Sequence, residues 1–402
     1  MSAAPGPHVF LVAGEESGDR LGAALIAAIK RRAPDARFSG AGGAQMAAQG
    51  VASLFPLGDL AIIGFAAIPA ALPKILQRIR QTAEAVIAAK PDVLVIIDSP
   101  EFTHRVARRV RARAPQIPII DYVCPSVWAW RPGRARAMRA YVDHVLALLP
   151  FEPAALRKLH GPSCTYVGHP LGERAGRLRP NPDEARRRLA DPPVLLVMPG
   201  SRGGEIRRMA AVFGQAAALV AERLGKLEVA VPAVPRLADA VHAAVATWPI
   251  PARVVTDADE KDAAFRVARA ALAKSGTSTL ELAVAGVPMV TGYKVPIFEE
   301  IIARAMIKVD TTILPNLVLG ANVVPQFFQR QFTPQKLAEA LLPLLSDTPE
   351  RQGQLEAFTR LDAAMEIGQA IPSDRAAAAV LDYAGFARQK ASETVESVPP
   401  RA

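Results

Sequence analysis

The sequence predicts an α/β protein of two doubly wound domains, on three observations. Short apolar runs alternate with amphipathic helical runs along most of the chain, the pattern of parallel sheets covered on both faces. Its 402 residues are too many for one core, and half of them are apolar, so two cores of ordinary size are expected. Two strand-to-helix junctions in the second half also share a turn of small residues.

Taken in order, strand 9–13 leads to an Ala-rich helix at 21–32, strand 37–41, a helix around Gln45 and an apolar stretch at 60–76. A helix at 84–89 precedes the wholly apolar strand 93–97, then an Arg-rich helix and strands 117–122 and 142–148. The run Arg-Leu-Arg-Pro-Asn-Pro at 177–182 reads as a linker. A second series follows: strands 194–198, 227–231, 252–256, 270–273 and 288–291, with helices at 210–224, 237–246 and 279–285 between them. The expected domains are therefore 1–176 and 183–333. A helical stretch at 334–386 is expected to pack back on the first, and a polar tail at 387–402 to be disordered.

The two shared turns carry the chemistry of the second half. Strand 194–198 runs into Pro199-Gly200-Ser201-Arg202-Gly203-Gly204-Glu205, and strand 270–273 into Lys274-Ser275-Gly276-Thr277-Ser278-Thr279-Leu280-Glu281. Small residues ahead of a helix leave backbone N–H groups for an anion. Arg202 adds a fork-shaped cation suited to phosphate, and Glu281 is placed to hold a pair of sugar hydroxyls. Either turn alone reads as an ordinary connection. Both together, in the order Arg turn then Glu turn, point to a nucleotide diphosphate bearing a sugar.

In the first half, Asp98 ends strand 93–97. A carboxylate there faces the crevice off the strand ends, where a general base works, or else caps the next helix. Gly14-Glu15-Glu16-Ser17-Gly18-Asp19 lacks the spacing of a dinucleotide fingerprint. It reads as a loop in which Glu15 and Ser17 face an acceptor's hydroxyls, or in which Ser17 only caps a helix. Ser126-Val127-Trp128-Ala129-Trp130-Arg131 holds two of the three Trp. Trp128 would stack on a sugar, lie in a lipid interface or fill a satellite core. Residues 60–72 are uncharged and precede Lys74, Arg78 and Arg80; they suit partial insertion beside anionic headgroups, or a buried helix.

Several classes fall away. No apolar run reaches the roughly 18 residues that span a bilayer, and the N-terminus has no basic start or cleavage pattern, so a cytoplasmic protein is expected. Cys124 and Cys164 form no C-x-x-C pair and read as small buried hydrophobes in a reduced compartment. The six His show no zinc spacing, and Asp257-Ala258-Asp259 reads as a helix cap more than a metal pair. Neither metal nor cofactor is expected. Net charge is +10, and through Pro170 20 Lys and Arg stand against 12 Asp and Glu. Nucleic acid, an anionic membrane or a phosphorylated substrate would each suit this excess, and a solvated helix face explains part of it with no partner. Nucleic acid is the weakest of these, since no stacking platform interleaves the basic residues.

These residues also stand in the order of a known family. From Val12-Ala13-Gly14-Glu15 to about Leu344 the chain resembles the lipid A disaccharide synthases, inverting transferases of the GT-B class. The most specific stretches are Ser17-Gly18-Asp19, Pro125-Ser126-Val127-Trp128-Ala129-Trp130, Leu149-Pro150-Phe151-Glu152 and Gly168-His169-Pro170 in the first half. In the second half they are Pro199-Gly200-Ser201-Arg202-Gly203, Ser275-Gly276-Thr277, Gly292-Tyr293 and Leu314-Pro315-Asn316-Leu317. Glu16 departs from the Thr common in the family.

The resemblance implies a GT-B fold, two Rossmann-like domains facing a cleft. It implies a reaction in which UDP-2,3-diacylglucosamine donates its sugar to 2,3-diacylglucosamine 1-phosphate, giving a β-1,6-linked disaccharide 1-phosphate and UDP. Gly200, Ser201, Arg202, Ser275, Gly276 and Thr277 would hold the diphosphate without a metal, Glu281 the ribose, and Asp98 would take the proton of the acceptor's 6-hydroxyl. Asn316 matches a family position in the cleft. Peripheral contact with inner-membrane lipid follows, and a homodimer with exchanged C-terminal segments is permitted. The rivals are a UDP-sugar 2-epimerase, which needs no acceptor, and a membrane-binding protein without catalysis.

Overall fold

The computed structural model describes residues 6–60, 68–296, 300, 309 and 311–385. They form two compact units: one runs to Pro170 and takes the chain up again at Ala370, the other is Leu171–Gln369.

The first unit holds β1 (His8–Ala13), β2 (Arg37–Ala41), β3 (Val93–Ile97), β4 (Ile119–Tyr122), β5 (His144–Ala147) and β6 (Ser163–Tyr166). They form one parallel sheet in the order β2-β1-β3-β4-β5-β6. Every residue of β1 and β3 is buried, which is why residues 9–13 and 93–97 read as unbroken apolar runs. One face packs Phe10, Leu94 and Ile96 with Ile79 and Val86 of helix Ile68–Ala89 and Val106 of helix Pro100–Arg113. The other packs Leu11, Val95 and Ile120 with Leu25 and Ile29 of helix Glu16–Arg32 and Val380 of helix Pro372–Tyr383.

The second unit holds β7 (Val194–Met198), β8 (Glu228–Pro232), β9 (Arg253–Val255), β10 (Ala270–Lys274), β11 (Met289–Tyr293) and β12 (Gln326–Phe328). This sheet is also parallel, ordered β12-β11-β10-β7-β8-β9. Phe213 of helix Gly203–Leu224 and Leu337 and Leu341 of helix Pro334–Leu345 cover Leu195, Val197, Leu272 and Val290.

In both sheets the strand order reverses beside the unit's first strand, between β1 and β3 and between β7 and β10. Doubly wound sheets bind ligands off the strand ends at that reversal, because the connecting helices leave on opposite faces and open a crevice. The loop at Gly14–Asp19 and Asp98 follow β1 and β3, and the two shared turns follow β7 and β10. Each candidate site therefore sits at its sheet's reversal.

Several boundaries differ from expectation. The units divide at Pro170, not at 176, because helix Leu171–Leu178 packs on helices Ala258–Val267 and Ser278–Val284. The expected linker at 177–182 is a junction between helices: Asn181 caps Pro182–Leu189 through reciprocal bonds with Glu184 of 2.9 and 3.0 Å. Of the stretch 334–386, only Pro372–Tyr383 lies on the first unit, against helix Glu16–Arg32; Pro334–Leu345 and Pro349–Ala364 pack within the second. The helix expected at 84–89 begins at Ile68 and tolerates Pro73 within it. The short strands β6 and β12 carry no buried run, so the apolar pattern does not mark them. Residues 61–67, on which most of the question of a lipid-facing segment 60–72 falls, and the tail 387–402 lie outside the described residues.

Candidate active site

At the end of β3, Asp98 and Ser99 both take left-handed backbone angles (φ 54° and 45°) and turn the chain into helix Pro100–Arg113. Asp98 is half-buried. Its Oδ1 accepts from the Ser99 N–H (2.7 Å), and its Oδ2 from the Ser17 hydroxyl (3.2 Å). Ser99 holds the N-cap position, so Asp98 is not that helix's cap. Gly14 allows the β1 and β3 turns to approach: a Cβ there would stand 2.4 Å from Ser99 Cβ.

The first helix starts at Glu16, five residues before the expected 21, so Ser17 lies in its first turn and Glu15 at its N-cap. The Ser17 hydroxyl goes to Asp98 and caps nothing. Glu15 is exposed. Asp19, by contrast, is buried and accepts from the N–H groups of Gly43, Gln45 and Met46, fixing the start of helix Ala44–Ala48.

Asp98 opens on a cavity of about 170 Å³, whose walls include His104, Asp121, Trp130, Arg131 and Arg134. Asp121, on β4, is 1% exposed. His104 Nε2 stands 3.0 Å from its Oδ2, yet neither oxygen accepts an aligned hydrogen bond among the described residues. Burial pushes the Asp121 carboxyl above the usual carboxylate range, and His104 opposes that shift. On its other side His104 Nδ1 meets the Tyr141 hydroxyl at 3.1 Å. Motifs and spacing assign no role to His104 or Asp121. The one signal for them in the sequence is an acid inside the otherwise apolar run 117–122.

The structure bears on the alternatives left open for Trp128. Trp128 donates from Nε1 to Glu152 (3.1 Å) and sets its ring edge-on to Phe151 at 5.0 Å. Glu152 is buried, also accepts from Leu148 and Leu149, and burial pushes its carboxyl up to about 7. Trp128 is half-buried and engaged by Glu152 and Phe151, the kind of contact that the satellite-core alternative calls for. Trp130, two residues on, is the one that lines the cavity.

In the second unit, β7 and β10 are neighbours with Met198 beside Ala273, so the two turns lie side by side. Gly200 has φ 133°, and a Cβ there would stand 2.6 Å from Glu205 Cβ, so only Gly fits. Glu205, nearly fully buried, joins the turns: its Oε2 accepts from the Ser201 N–H (3.0 Å) and its Oε1 pairs with Lys274 Nζ (3.1 Å). The Ser201 N–H is therefore engaged internally, contrary to a wholly bare turn. Arg202 is the N-cap of helix Gly203–Leu224, with its side chain 79% exposed. Lys274 also lies over the Tyr293 ring at 5.3 Å. Neither Glu205 nor Lys274 is among the residues expected to act, although a Glu at the third helical position is itself a capping signal.

Ser275 Oγ lies 3.2 Å from Thr312 Oγ1, and Gly276 and Thr277 lead into helix Ser278–Val284. Glu281 is on that helix, and Arg174 holds its Oε1 at 3.4 Å. For Asn316 the expectation needs correcting. It is 1% exposed, its Oδ1 accepts from the N–H groups of Val323 and Val324, and its Nδ2 donates to the Val324 carbonyl. Its second N–H reaches Thr311 Oγ1 at 3.5 Å, so the whole amide is engaged in pinning a loop and is turned away from any ligand. Asp257 caps helix Ala258–Val267 by accepting from Asp259 and Glu260. Among the described residues there is no metal-holding cluster of His, Cys, Asp and Glu, and no helix long and apolar enough to cross a membrane.

Known proteins match this arrangement. The solved glycotransferase of kitacinnamycin aligns with a TM-score of 0.63 at 18% identity, over 94% of this chain and 99% of its own. Acinetobacter baumannii MurG gives 0.53 at 16%, over 94% and 99%. The Methanocaldococcus jannaschii UDP-GlcNAc 2-epimerase gives 0.57 at 13%, over the same shares. At these identities the likeness is one of fold, and the fold is GT-B. A Lipid-A-disaccharide synthase of Nitrobacter hamburgensis is 60% identical over 93% of this chain and 95% of its own length. Those of Rhodopseudomonas palustris and Rhodospirillum centenum are 57% and 43% identical, each over 93% of this chain. The family described as Lipid-A-disaccharide synthetase matches residues 9–379, and the chain belongs to it, a glycosyltransferase of lipid A biosynthesis.

Proposed function

We propose that the protein transfers the sugar of UDP-2,3-diacylglucosamine to the 6-hydroxyl of 2,3-diacylglucosamine 1-phosphate, with inversion and without a metal. The observation that carries this reading is Asp98, held at both oxygens at the reversal of the first sheet. Ser17 and Ser99 orient the carboxylate, which takes the acceptor's O6 proton as O6 bonds to the anomeric carbon. The bond from that carbon to the diphosphate breaks, and UDP leaves with the electron pair. Attack from the face opposite the leaving group inverts the centre. On the second unit Arg202, Lys274 and the Gly276–Thr277 turn meet the charge that grows on the diphosphate, and Glu281, oriented by Arg174, binds the ribose. The test is formation of a β-linked disaccharide 1-phosphate in the presence of EDTA.

Arg202→Ala removes one charge-assisted contact of about 1.5–3 kcal/mol. UDP affinity measured by calorimetry is expected to fall roughly ten- to a hundredfold, and an unchanged affinity takes Arg202 out of the donor site.

The acyl chains of both substrates call for work at a lipid surface, on the cytoplasmic face of the inner membrane. Leu72 and Leu76, one helical turn apart and each about two-fifths exposed, flank Lys74 and support that contact. Serine at both positions is expected to weaken sedimentation with anionic vesicles, whereas equal binding moves the contact elsewhere. A homodimer that exchanges C-terminal segments would trade helix Pro372–Tyr383, which returns to the first unit; equilibrium sedimentation decides it.

A further inference from the structure

One feature of the first unit is unused by this mechanism. Three guanidinium groups converge on the single carboxylate of Glu101, in the first turn of helix Pro100–Arg113. Arg134 Nη2 hydrogen-bonds Glu101 Oε1, Arg131 Nη1 lies 3.5 Å from the same oxygen, and Arg105 Nη2 lies 3.9 Å from Oε2. Arg131 and Arg134 also line the cavity into which Asp98 opens.

We propose that Arg105, Arg131 and Arg134 form the subsite for a phosphate monoester, the 1-phosphate of the acceptor, and that Glu101 holds its place in the empty site. The inference rests on the transferase reading and names the ligands of its acceptor.

Charge supports it first. Three cations against one carboxylate leave a local excess of two positive charges, and exchanging that carboxylate for a phosphate monoester, which carries about −1.5 to −2 at neutral pH, brings the cluster closer to neutrality. Accessibility supports it next. The Arg134 side chain is 18% exposed and Glu101 64%, so the carboxylate can swing into water while the guanidinium cannot follow. An anion that replaces Glu101 then meets a partner already desolvated and short of charge. Arg134, and to a lesser degree Arg131 and Arg105, hold the Glu101 carboxyl below its ordinary range, as expected for an anion in a cationic nest.

The cluster is also preorganised. The Arg131 guanidinium stacks over the Trp130 ring at 4.5 Å, and that of Arg134 approaches the same ring at 5.9 Å. Arg131 holds a left-handed φ of 53°, a strained state for a long side chain that the surroundings must maintain. A plain surface ion pair needs neither the strain nor three cations for one anion. The cavity wall carries carboxylates at Asp98 and Asp121 and guanidiniums at Arg131 and Arg134. A sugar with a hydroxyl to deprotonate and a phosphate to neutralise matches both.

The test is a calorimetric titration of the full-length protein with glucosamine 1-phosphate and with glucosamine. The wild type is expected to favour the phosphate about ten- to a hundredfold, and Arg131→Ala/Arg134→Ala to lose that preference. Glu101→Gln, which removes the competing anion, is expected to strengthen glucosamine 1-phosphate binding several-fold. Arg105→Gln, at a half-exposed position, keeps the test open if the double variant fails to fold. No preference in the wild type, a preference that survives in the Arg variants, or weaker binding in Glu101→Gln overturns the subsite. So does a double variant that loses binding to phosphatidylglycerol vesicles while keeping its preference for glucosamine 1-phosphate, since the cluster would then serve a lipid headgroup. A wild-type protein that shows the preference but transfers no sugar counts against the transferase reading and leaves the phosphate subsite standing.

Discussion

Asp98→Asn is expected to lower turnover by about 10²–10⁴-fold, the usual contribution of a positioned general base, while UDP binds as in the wild type. Asparagine is the informative substitution. Like aspartate it tolerates the left-handed φ of 54° at this position. Its carbonyl oxygen can still accept from the Ser99 N–H, as Asp98 Oδ1 does at 2.7 Å. The turn between β3 and the following helix therefore keeps its shape; the capacity to take a proton is lost, and the Ser17 hydroxyl must turn from donating to Oδ2 to accepting from the new amide. Steady-state transfer kinetics and a UDP titration on the same preparation separate the two effects. Equal turnover in the variant removes Asp98 as the base.

Glu205→Ala is expected to damage the donor turn more than any change at its exposed Arg202. The buried Glu205 carboxylate joins the ends of β7 and β10, with Ser201 N–H on one oxygen and Lys274 on the other. Its removal leaves a mostly buried ammonium and an N–H without their acceptor. Breaking a fully buried pair costs about 3–5 kcal/mol. Lys274 keeps 19% of its side chain in water, so a loss of about 2–3 kcal/mol in urea unfolding of the second unit is expected. UDP affinity should fall with it, because Gly200 packs directly on the Glu205 side chain. Unchanged stability together with unchanged UDP affinity would mean that the turns are held in some other way.

Much of this fold is legible in the sequence because parallel strands covered on both faces must be apolar throughout. β1, β3, β7 and β10 are such strands, and each is expected within a residue of its observed limits. Pairing across the chain is not legible in the same way. No local pattern tells that the Asn316 amide is spent on Val323 and Val324, or that the Trp128 indole belongs to Glu152 while Trp130 reaches the cavity. Both depend on which backbone groups and acids arrive from elsewhere. The C-terminal helices divide between the units for a similar reason. Leu337 and Leu341 fit the second sheet, while Ala376 and Ala377 allow close approach to the first. Pro334–Leu345 and Pro372–Tyr383 look alike as amphipathic sequence, although they pack on different units. Asp121 differs from these, since its signal is local: one acid within the apolar run of a buried central strand needs a polar cavity beside it.

The most direct test of the central claim is UDP release from UDP-2,3-diacylglucosamine, in EDTA, with and without 2,3-diacylglucosamine 1-phosphate. UDP and a disaccharide 1-phosphate that appear together, and only when the acceptor is present, are the predicted result. Donor turnover at the same rate without acceptor would contradict it and point to an epimerase or a hydrolase on the same GT-B scaffold.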